Sequence, residues 1–219
     1  MLCILAYGSW QLYSYYYRIG VPISVSPKEN IANLSKPVAK GAKPEIILTS
    51  DSILGVAINM YELKNLQAEI SLSEPDTTDT SIYMYSRSAD HTADNKYLGS
   101  LVMNGKELAS DVSRLGYCGM ANGNIVIGVS RSDKVKDYVM EKNGSFFRQF
   151  ILVSNGVLPT KFQLHGKVER RALACFQGTI SFLRSHKCAF LKCINPKHDF
   201  FRCRGMCLDR KGVIIRICM

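Results

Sequence analysis

The stretches LVMNGKELA (residues 101–109), MANGNIVIGV (residues 120–129) and FILVSNGVL (residues 150–158) decide the predicted fold. In each of them an Asn-Gly pair separates two apolar runs. A tight turn between antiparallel strands needs positive φ at both central residues, and Asn followed by Gly meets this requirement best. Three such pairs in matching contexts predict a domain built on antiparallel hairpins.

One amphipathic helix is predicted between the second and the third of these stretches. Ser132 can cap its start, and Asp133 suits the positive end of the helix dipole. The Asn143-Gly144 pair is typical of a left-handed helix end. The apolar residues at helical spacing are Val135, Tyr138 and Val139. Hairpins and a helix together predict the α+β class, with an antiparallel-rich mixed sheet and few helices.

Composition divides the chain into four parts. Residues 1–21 are apolar and rich in tyrosine, residues 22–44 form a proline-rich linker, residues 45–174 form the domain, and residues 175–219 form a tail rich in Cys, Arg and Lys. The apolar run within this first part, Met1 to Trp10, is shorter than the roughly 20 residues of a spanning helix. Its tyrosine cluster, closed by Arg18, resembles the interfacial end of a membrane anchor. Membrane association through this part is one interpretation, and an apolar strand or helix of a soluble protein is the other.

The net charge of +10 is concentrated at one end of the chain. From Ala172 onward, nine basic and two acidic residues carry +7, whereas the preceding 171 residues are nearly balanced. A uniformly basic domain would suggest nucleic acid as a partner, so this distribution disfavours that class for the domain. Six of the eight cysteines also lie in the last 45 residues, so no disulfide framework runs through the domain.

The tail has an interpretation of its own. Its candidate zinc ligands are Cys188, Cys193, Cys203 and Cys207, with His186 and His198 nearby. Basic residues around a zinc site would suggest a nucleic-acid-binding protein. The cysteine spacings differ from the usual two-residue knuckle, however, and a shifted reading frame or a misjoined gene end would produce the same abrupt composition. No metal ligand is predicted in the domain, and no cofactor follows from its residues.

Four segments in order resemble one known family. They are YLGSLVMNGKEL (residues 97–108), GMANGNIVIGV (residues 119–129), QFILVSNG (residues 149–156) and RRALA (residues 170–174). Their glycines, apolar strands, Asn-Gly turns and closing arginine resemble the pattern of the phosphodiester glycosidase family, which is related to the mannose-6-phosphate uncovering enzyme. The resemblance is to a Bacteroidetes-type member and covers about residues 46–174.

The resemblance implies a fold, an activity and a location. Members of this family have a mixed α+β sheet and cleave a glycosidic bond to a phosphodiester outside the cytoplasm, so a cell-envelope protein with a sugar-phosphate or carbohydrate substrate is expected. The second half of the family pattern carries an Asp-Gly-Gly-type turn, and this sequence has no Gly-Gly pair. We therefore expect an incomplete domain, truncated or frameshifted after about residue 174, for which loss of activity is one expectation.

Arg170 is the first candidate for binding the substrate phosphate. A phosphodiester carries one negative charge, and the planar fork of an arginine matches phosphate oxygens. Arg170 also stands where the family pattern has its arginine. The alternative is an internal salt bridge with Asp90, Asp94 or Asp111, because a buried arginine needs a partner of opposite charge.

Carboxylates are needed as well, since glycoside cleavage generally uses two of them across the scissile bond. The catalytic candidates are Asp90, Asp94 and Asp111, with Glu107 as a further carboxylate in the same region. Asp90 and Asp94 lie in a polar loop, where functional groups are frequent. Most residues of this kind are simply solvated, and spacing alone assigns no pair.

Arg148 and Gln149 complete the predicted site as substrate-binding candidates. Gln149 matches the glutamine of the family segment and could form a hydrogen bond with a sugar hydroxyl. The predicted function is hydrolysis of a sugar–phosphodiester linkage. The alternatives are a non-catalytic envelope or carbohydrate-binding remnant and, from the tail alone, a zinc-bearing nucleic-acid-binding protein.

Overall fold

The computed structural model describes residues 26–38, 41–53, 56–73, 75–76, 78–87, 90–91, 96–111, 114–153, 168–176, 179–188, 204–208 and 214–218. The helices are α1 (Pro27–Leu34) and α2 (Lys134–Glu141). The strands are β1 (Glu45–Ile53), β2 (Val56–Lys64), β3 (Gln67–Ser71), β4 (Ile82–Arg87), β5 (Asp90–His91), β6 (Tyr97–Leu98), β7 (Leu101–Met103), β8 (Lys106–Ala109), β9 (Gly116–Ala121), β10 (Asn124–Val129), β11 (Ser145–Gln149), β12 (Ile151–Val153), β13 (Val168–Phe176), β14 (Thr179–Cys188), β15 (Arg204–Leu208) and β16 (Ile214–Cys218).

These strands form four sheets. The orders are β10-β9-β11-β7-β8, β1-β2-β14-β13-β15-β12, β3-β16-β4 and β5-β6. Every strand pairing within the described residues is antiparallel. The predicted α+β class, with antiparallel strands and few helices, is confirmed.

The five-stranded sheet is the centre of the fold because both of its faces are buried. Tyr117 and Phe146 lie on the face that packs against α1 and α2, and their rings stack with centroids 5.6 Å apart. Cys118 and Phe147 lie on the opposite face, in a core shared with β2, β3 and β13. Every residue of β9 and of β11 is consequently buried, so a polar side chain on these strands must find its partners within the protein.

Two of the three predicted Asn-Gly turns are confirmed. Asn104 and Gly105 have φ of 49° and 75° between β7 and β8, and Asn122 and Gly123 have φ of 52° and 74° between β9 and β10. Positive φ at both central residues gives the twist that antiparallel partners require. The third pair, Asn155-Gly156, lies outside the described residues.

The end of α2 also follows the prediction. Asn143 takes the left-handed conformation with φ of 52°. The amide of Gly144 donates to the carbonyl of Val139 at 2.8 Å, and the amide of Asn143 donates to the carbonyl of Met140 at 3.1 Å. These two bonds satisfy carbonyls that the last turn of a helix otherwise leaves without donors.

Helix α1 lies within the segment predicted as a linker. Its start has a local cause, because Ser26 caps it by accepting from the amide of Lys28 at 3.3 Å and Pro27 occupies the first turn. Its position is decided by packing, since Leu34 is fully buried and the Asn30 amide donates to the Tyr117 hydroxyl at 2.6 Å. The sequence did not predict this helix, because the segment is rich in proline. Only two residues of the helix are buried, so it shows no sustained apolar period.

The cysteine-rich segment after residue 174 contributes strands to the sheets. Strand β14 lies between β2 and β13, and β15 pairs with β13 and β12. Strand β16 lies between β3 and β4. The boundary placed after residue 174 therefore falls inside β13, two residues before that strand ends. The partition of the chain into anchor, linker, domain and tail stays a prediction, and residues 1–21 lie outside the described ranges.

Candidate functional site

The carboxylate of Asp111 is held by the segment that follows β6. The amide of Gly99 donates to Asp111 Oδ2 at 3.2 Å, and the Ser100 hydroxyl donates to the Asp111 carbonyl at 2.8 Å. Ser100 is buried and Asp111 is half-buried, so these bonds are partly shielded from water. The first bond orients the carboxylate and the second holds the backbone of Asp111, while the residue still reaches the surface.

Gly99 is required at this position for two reasons. Its φ of 94° is a conformation that other residues rarely adopt. A Cβ atom on Gly99 would also lie 3.0 Å from both the Cβ atom and the carbonyl oxygen of Arg148. The Arg148 amide donates to the Ser100 carbonyl at 2.9 Å, so the end of β11 lies directly against the segment that holds Asp111.

Arg148 is fully buried, and its guanidinium group is engaged by its own chain. Its Nη2 atom donates to Asp133 Oδ1 at 3.0 Å and to the Ser132 carbonyl at 3.2 Å. Its Nη1 atom donates to the carbonyls of Ser130 and Arg114. The side chain therefore ties the loop before α2 to β11, and its predicted contact with substrate stays a prediction.

The start of α2 reflects this pairing. Asp133 occupies the N-cap position, but its side chain makes no capping bond because its carboxylate accepts from Arg148. The Ser132 hydroxyl oxygen accepts from the amide of Lys134 at 3.3 Å instead. The two polar residues predicted at the helix start therefore have different partners. Ser132 accepts from a backbone amide of the helix, and Asp133 pairs with the buried guanidinium group of Arg148.

Lys136 extends this charge network to β8. Its Nζ atom donates to Glu107 Oε1 at 2.8 Å and lies 3.5 Å from Asp133 Oδ2, with 8% of its side chain exposed. Burial by itself lowers the pKa of the Lys136 ammonium group. The hydrogen bond and charge of Glu107, together with the charge of Asp133, outweigh burial, so the net pKa is raised above the ordinary value of 10.5.

The raised pKa of Lys136 gives a pH-dependent prediction. A group whose pKa is higher in the folded state stabilises that state fully below its unfolded pKa and ceases to do so as pH rises through the folded pKa. Lys136→Met is expected to lower the free energy of unfolding by about 1 to 2 kcal/mol near neutral pH. That cost should stay constant up to about pH 10 and shrink above it. Urea unfolding of both proteins between pH 7 and 11.5 measures this, and a cost that grows with pH would contradict the assignment.

Arg114 was not singled out by the sequence, which offers no motif or period around it. It is half-buried, and its guanidinium carbon lies 3.8 Å from the centroid of the Phe150 ring. Its carbonyl accepts from Arg148, but within the described part of the chain its guanidinium group has no hydrogen bond or ion pair. Its Nε atom is buried and lacks an acceptor among the described residues.

Gln149 is buried to 2% exposure at the end of β11. Its Oε1 atom accepts from the amide of Phe150 at 2.9 Å, which turns the side chain back onto its own backbone. Gly116 of β9 packs against it, since a Cβ atom there would lie 2.6 Å from the Gln149 carbonyl oxygen. The predicted hydrogen bond between this side chain and a sugar hydroxyl stays a prediction.

The structure brings three of the six predicted site residues together. Asp111, Arg148 and Gln149 lie around Gly99 and Ser100. Asp90 joins them at the backbone level, because it pairs with Leu98, the residue before Gly99. Two carboxylate-bearing positions therefore flank one short segment, although the side chain of Asp90 lies outside what the structure describes.

The other two predicted residues are placed differently. Arg170 lies on β13 in the six-stranded sheet, opposite Ser185 of β14, and its side chain lies outside the description. Asp94 lies outside the described residues altogether, as do Cys193, Cys203 and His198 of the zinc interpretation. Among the described residues, no group of three or more His, Cys, Asp or Glu side chains could hold a metal ion.

Comparisons with known proteins bear on the fold. No family model matches the chain, and no curated protein matches its sequence. Among solved structures, the chain is similar to the catalytic domain of zebrafish N-acetylglucosamine-1-phosphodiester alpha-N-acetylglucosaminidase, auto-inhibited by its pro-peptide. The TM-score is 0.57 at 12% identity, over 84% of this chain and 86% of that chain. The chain therefore has a phosphodiester glycosidase-like fold.

A helix that spans a membrane would have to be both long and apolar. Neither α1 nor α2 meets these conditions, and the structure has no other helix in the residues it describes.

Proposed function

We propose that this protein is a hydrolase of the cell envelope that cleaves a glycosidic bond to a phosphodiester. The observation that carries the proposal is the fold likeness to a phosphodiester alpha-N-acetylglucosaminidase catalytic domain over 84% of the chain. The four segments that resemble the phosphodiester glycosidase pattern support it from the sequence, without reference to the coordinates.

Asp111 is the carboxylate that the geometry favours as acid or base. Its carboxylate accepts from the Gly99 amide, and its backbone carbonyl accepts from the Ser100 hydroxyl, at a half-buried position. A carboxylate that is oriented in this way loses less freedom when it transfers a proton in the reaction. The candidates for the second carboxylate are Asp94 and Asp90, which pairs with Leu98 between β5 and β6. Arg170 is proposed to bind the phosphate, where the family pattern has its arginine.

Location in the cell envelope is part of the same proposal. Its support is the tyrosine-rich segment of residues 1–21, which would associate with the membrane surface, and the extracytoplasmic location implied by the family resemblance. The protein would then lie on the periplasmic or extracellular side, so a protease added to cells with a permeabilised outer membrane should cleave it. Full protection until the cytoplasmic membrane is lysed would contradict this location.

Hydrolysis of an N-acetylglucosamine-phospho-alkyl compound by the purified chain tests the activity. The parent chain is expected to release the sugar, and Arg170→Ala is expected to lower kcat/KM by about 10- to 100-fold, because a charge-assisted contact to the phosphate is lost. Arg131→Ala is the matched control, since Arg131 is an exposed arginine in the loop before α2, and it should leave the rate unchanged.

Two outcomes would count against the proposal. A parent chain that melts cooperatively but releases no sugar would favour the non-catalytic carbohydrate-binding alternative. Equal losses in Arg170→Ala and Arg131→Ala would show that positive charge in general, and not Arg170 in particular, supports the reaction.

A further inference from the structure

Among the described residues, the guanidinium group of Arg114 has no hydrogen-bond or ion-pair partner, and its one contact, with the Phe150 ring, leaves its charge without a counterion. Arg148, the fully buried arginine of this region, has four hydrogen bonds, including one to a carboxylate partner, and only its Nε atom lacks an acceptor among the described residues. The Arg114 guanidinium group has no such bond among the described residues, although its Nε atom is buried. A buried charged donor without an acceptor is costly, so such a group calls for a partner beyond those that the described residues supply.

The group is also held in one orientation. With its guanidinium carbon 3.8 Å from the centroid of the Phe150 ring, Arg114 is within cation–π range of this ring. At the other end of the residue, its carbonyl accepts from Nη1 of Arg148. A stacked guanidinium group loses little further freedom when it binds a planar pair of oxygens, so the orientation favours binding of an oxyanion.

The charges around Arg114 favour an anion as well. Asp133 pairs with Arg148 and approaches Lys136, so this carboxylate is already shared between two cations. Asp111, three residues before Arg114, is held by Gly99 and Ser100. The carboxylate proposed as general acid and this cation are thus only three residues apart in the sequence.

We infer that Arg114 binds the negative charge of a phosphodiester group, which places the phosphate of the substrate beside Asp111. Binding of the anion by Arg114 does not depend on catalysis, whereas its identification as the substrate phosphate rests on the proposed function. Arg114 then adds a second phosphate contact to that of Arg170.

The test uses dimethyl phosphate, a phosphodiester monoanion without a sugar, and trimethyl phosphate, its uncharged analogue. The readout is the NMR signal of the Arg114 Nε–H group, assigned by its absence in Arg114→Lys. Dimethyl phosphate is expected to shift this signal saturably, and trimethyl phosphate at the same concentrations is expected to leave it in place. The backbone amide of Phe150, as a second reporter, should show the Kd rising about tenfold or more in Arg114→Gln.

Variants separate the role of Arg114 from general charge effects and from misfolding. Arg114→Lys keeps the charge without the planar fork and should bind more weakly than the parent but more tightly than Arg114→Gln. Arg131→Gln, an exposed arginine, should bind as the parent does. A dimethyl phosphate affinity that is the same in the parent and in Arg114→Gln would overturn the inference, as would an Nε–H signal that does not move.

The inference and the proposed function can fail separately. Anion binding that depends on Arg114 in a chain that hydrolyses no sugar phosphodiester would leave the anion site standing and remove the proposed activity. Hydrolysis with an unchanged KM in Arg114→Gln would keep the activity and overturn the assignment of Arg114 to the substrate phosphate.

Discussion

Arg148→Met is expected to lower the free energy of unfolding by about 3 to 5 kcal/mol, because the four hydrogen bonds of a fully buried guanidinium group are removed. The substitution leaves the carbonyls of Arg114, Ser130 and Ser132 without their donor and Asp133 without its guanidinium partner. Methionine fills much of the same volume, so the loss reports on hydrogen bonds and charge more than on a cavity. Urea-induced unfolding at neutral pH measures the difference.

Two further variants make this result specific. Arg148→Lys keeps the positive charge near Asp133 but cannot serve all four acceptors, so its cost should lie between those of the parent and Arg148→Met. Lys142→Met removes the cation of an exposed pair, in which Lys142 and Glu141 side chains are 39% and 69% exposed, and should leave stability unchanged. An Arg148→Met protein within about 1 kcal/mol of the parent would mean that this network is dispensable.

Asp111→Asn is expected to lower kcat for the sugar phosphodiester by about 10²- to 10⁴-fold, the usual contribution of a general acid or base. The amide oxygen of asparagine can still accept from the Gly99 amide, which donates to Asp111 Oδ2 at 3.2 Å in the parent. The substitution therefore removes the transferable proton and the charge, while the backbone contact is retained. Steady-state hydrolysis, with thermal unfolding of the same samples, measures both properties.

The matched control for this variant is Asp137→Asn, which changes an exposed carboxylate in the first turn of α2. It should hydrolyse the substrate at the parent rate. If Asp111→Asn also keeps the parent rate, Asp111 is a structural residue of the Gly99–Ser100 segment, and the search for the acid moves to Asp90 and Asp94. A loss of folding in Asp111→Asn would instead show as a lowered melting temperature.

The candidate site was only partly predictable from the sequence. Asp111, Arg148 and Gln149 were named from polar type and family pattern, and the structure places them around one segment. The pairing of Arg148 with Asp133 could not be foreseen, because the two residues are joined through the fold and no spacing rule connects a strand to the start of the preceding helix. No motif or spacing pointed to Arg114, because what distinguishes it is a buried Nε atom without an acceptor among the residues that the structure describes.

Local residue types were enough to specify the turns and the end of the helix. Asn104-Gly105, Asn122-Gly123 and Asn143 take positive φ because Asn and Gly tolerate it better than other residues, wherever the rest of the chain lies. The tertiary structure alone decided that β9 and β11 are buried on both faces, that α1 packs through Asn30 and Leu34, and that the strands after residue 174 enter the sheets. These features depend on contacts between residues far apart in the chain, whose partners a local pattern of polarity does not specify.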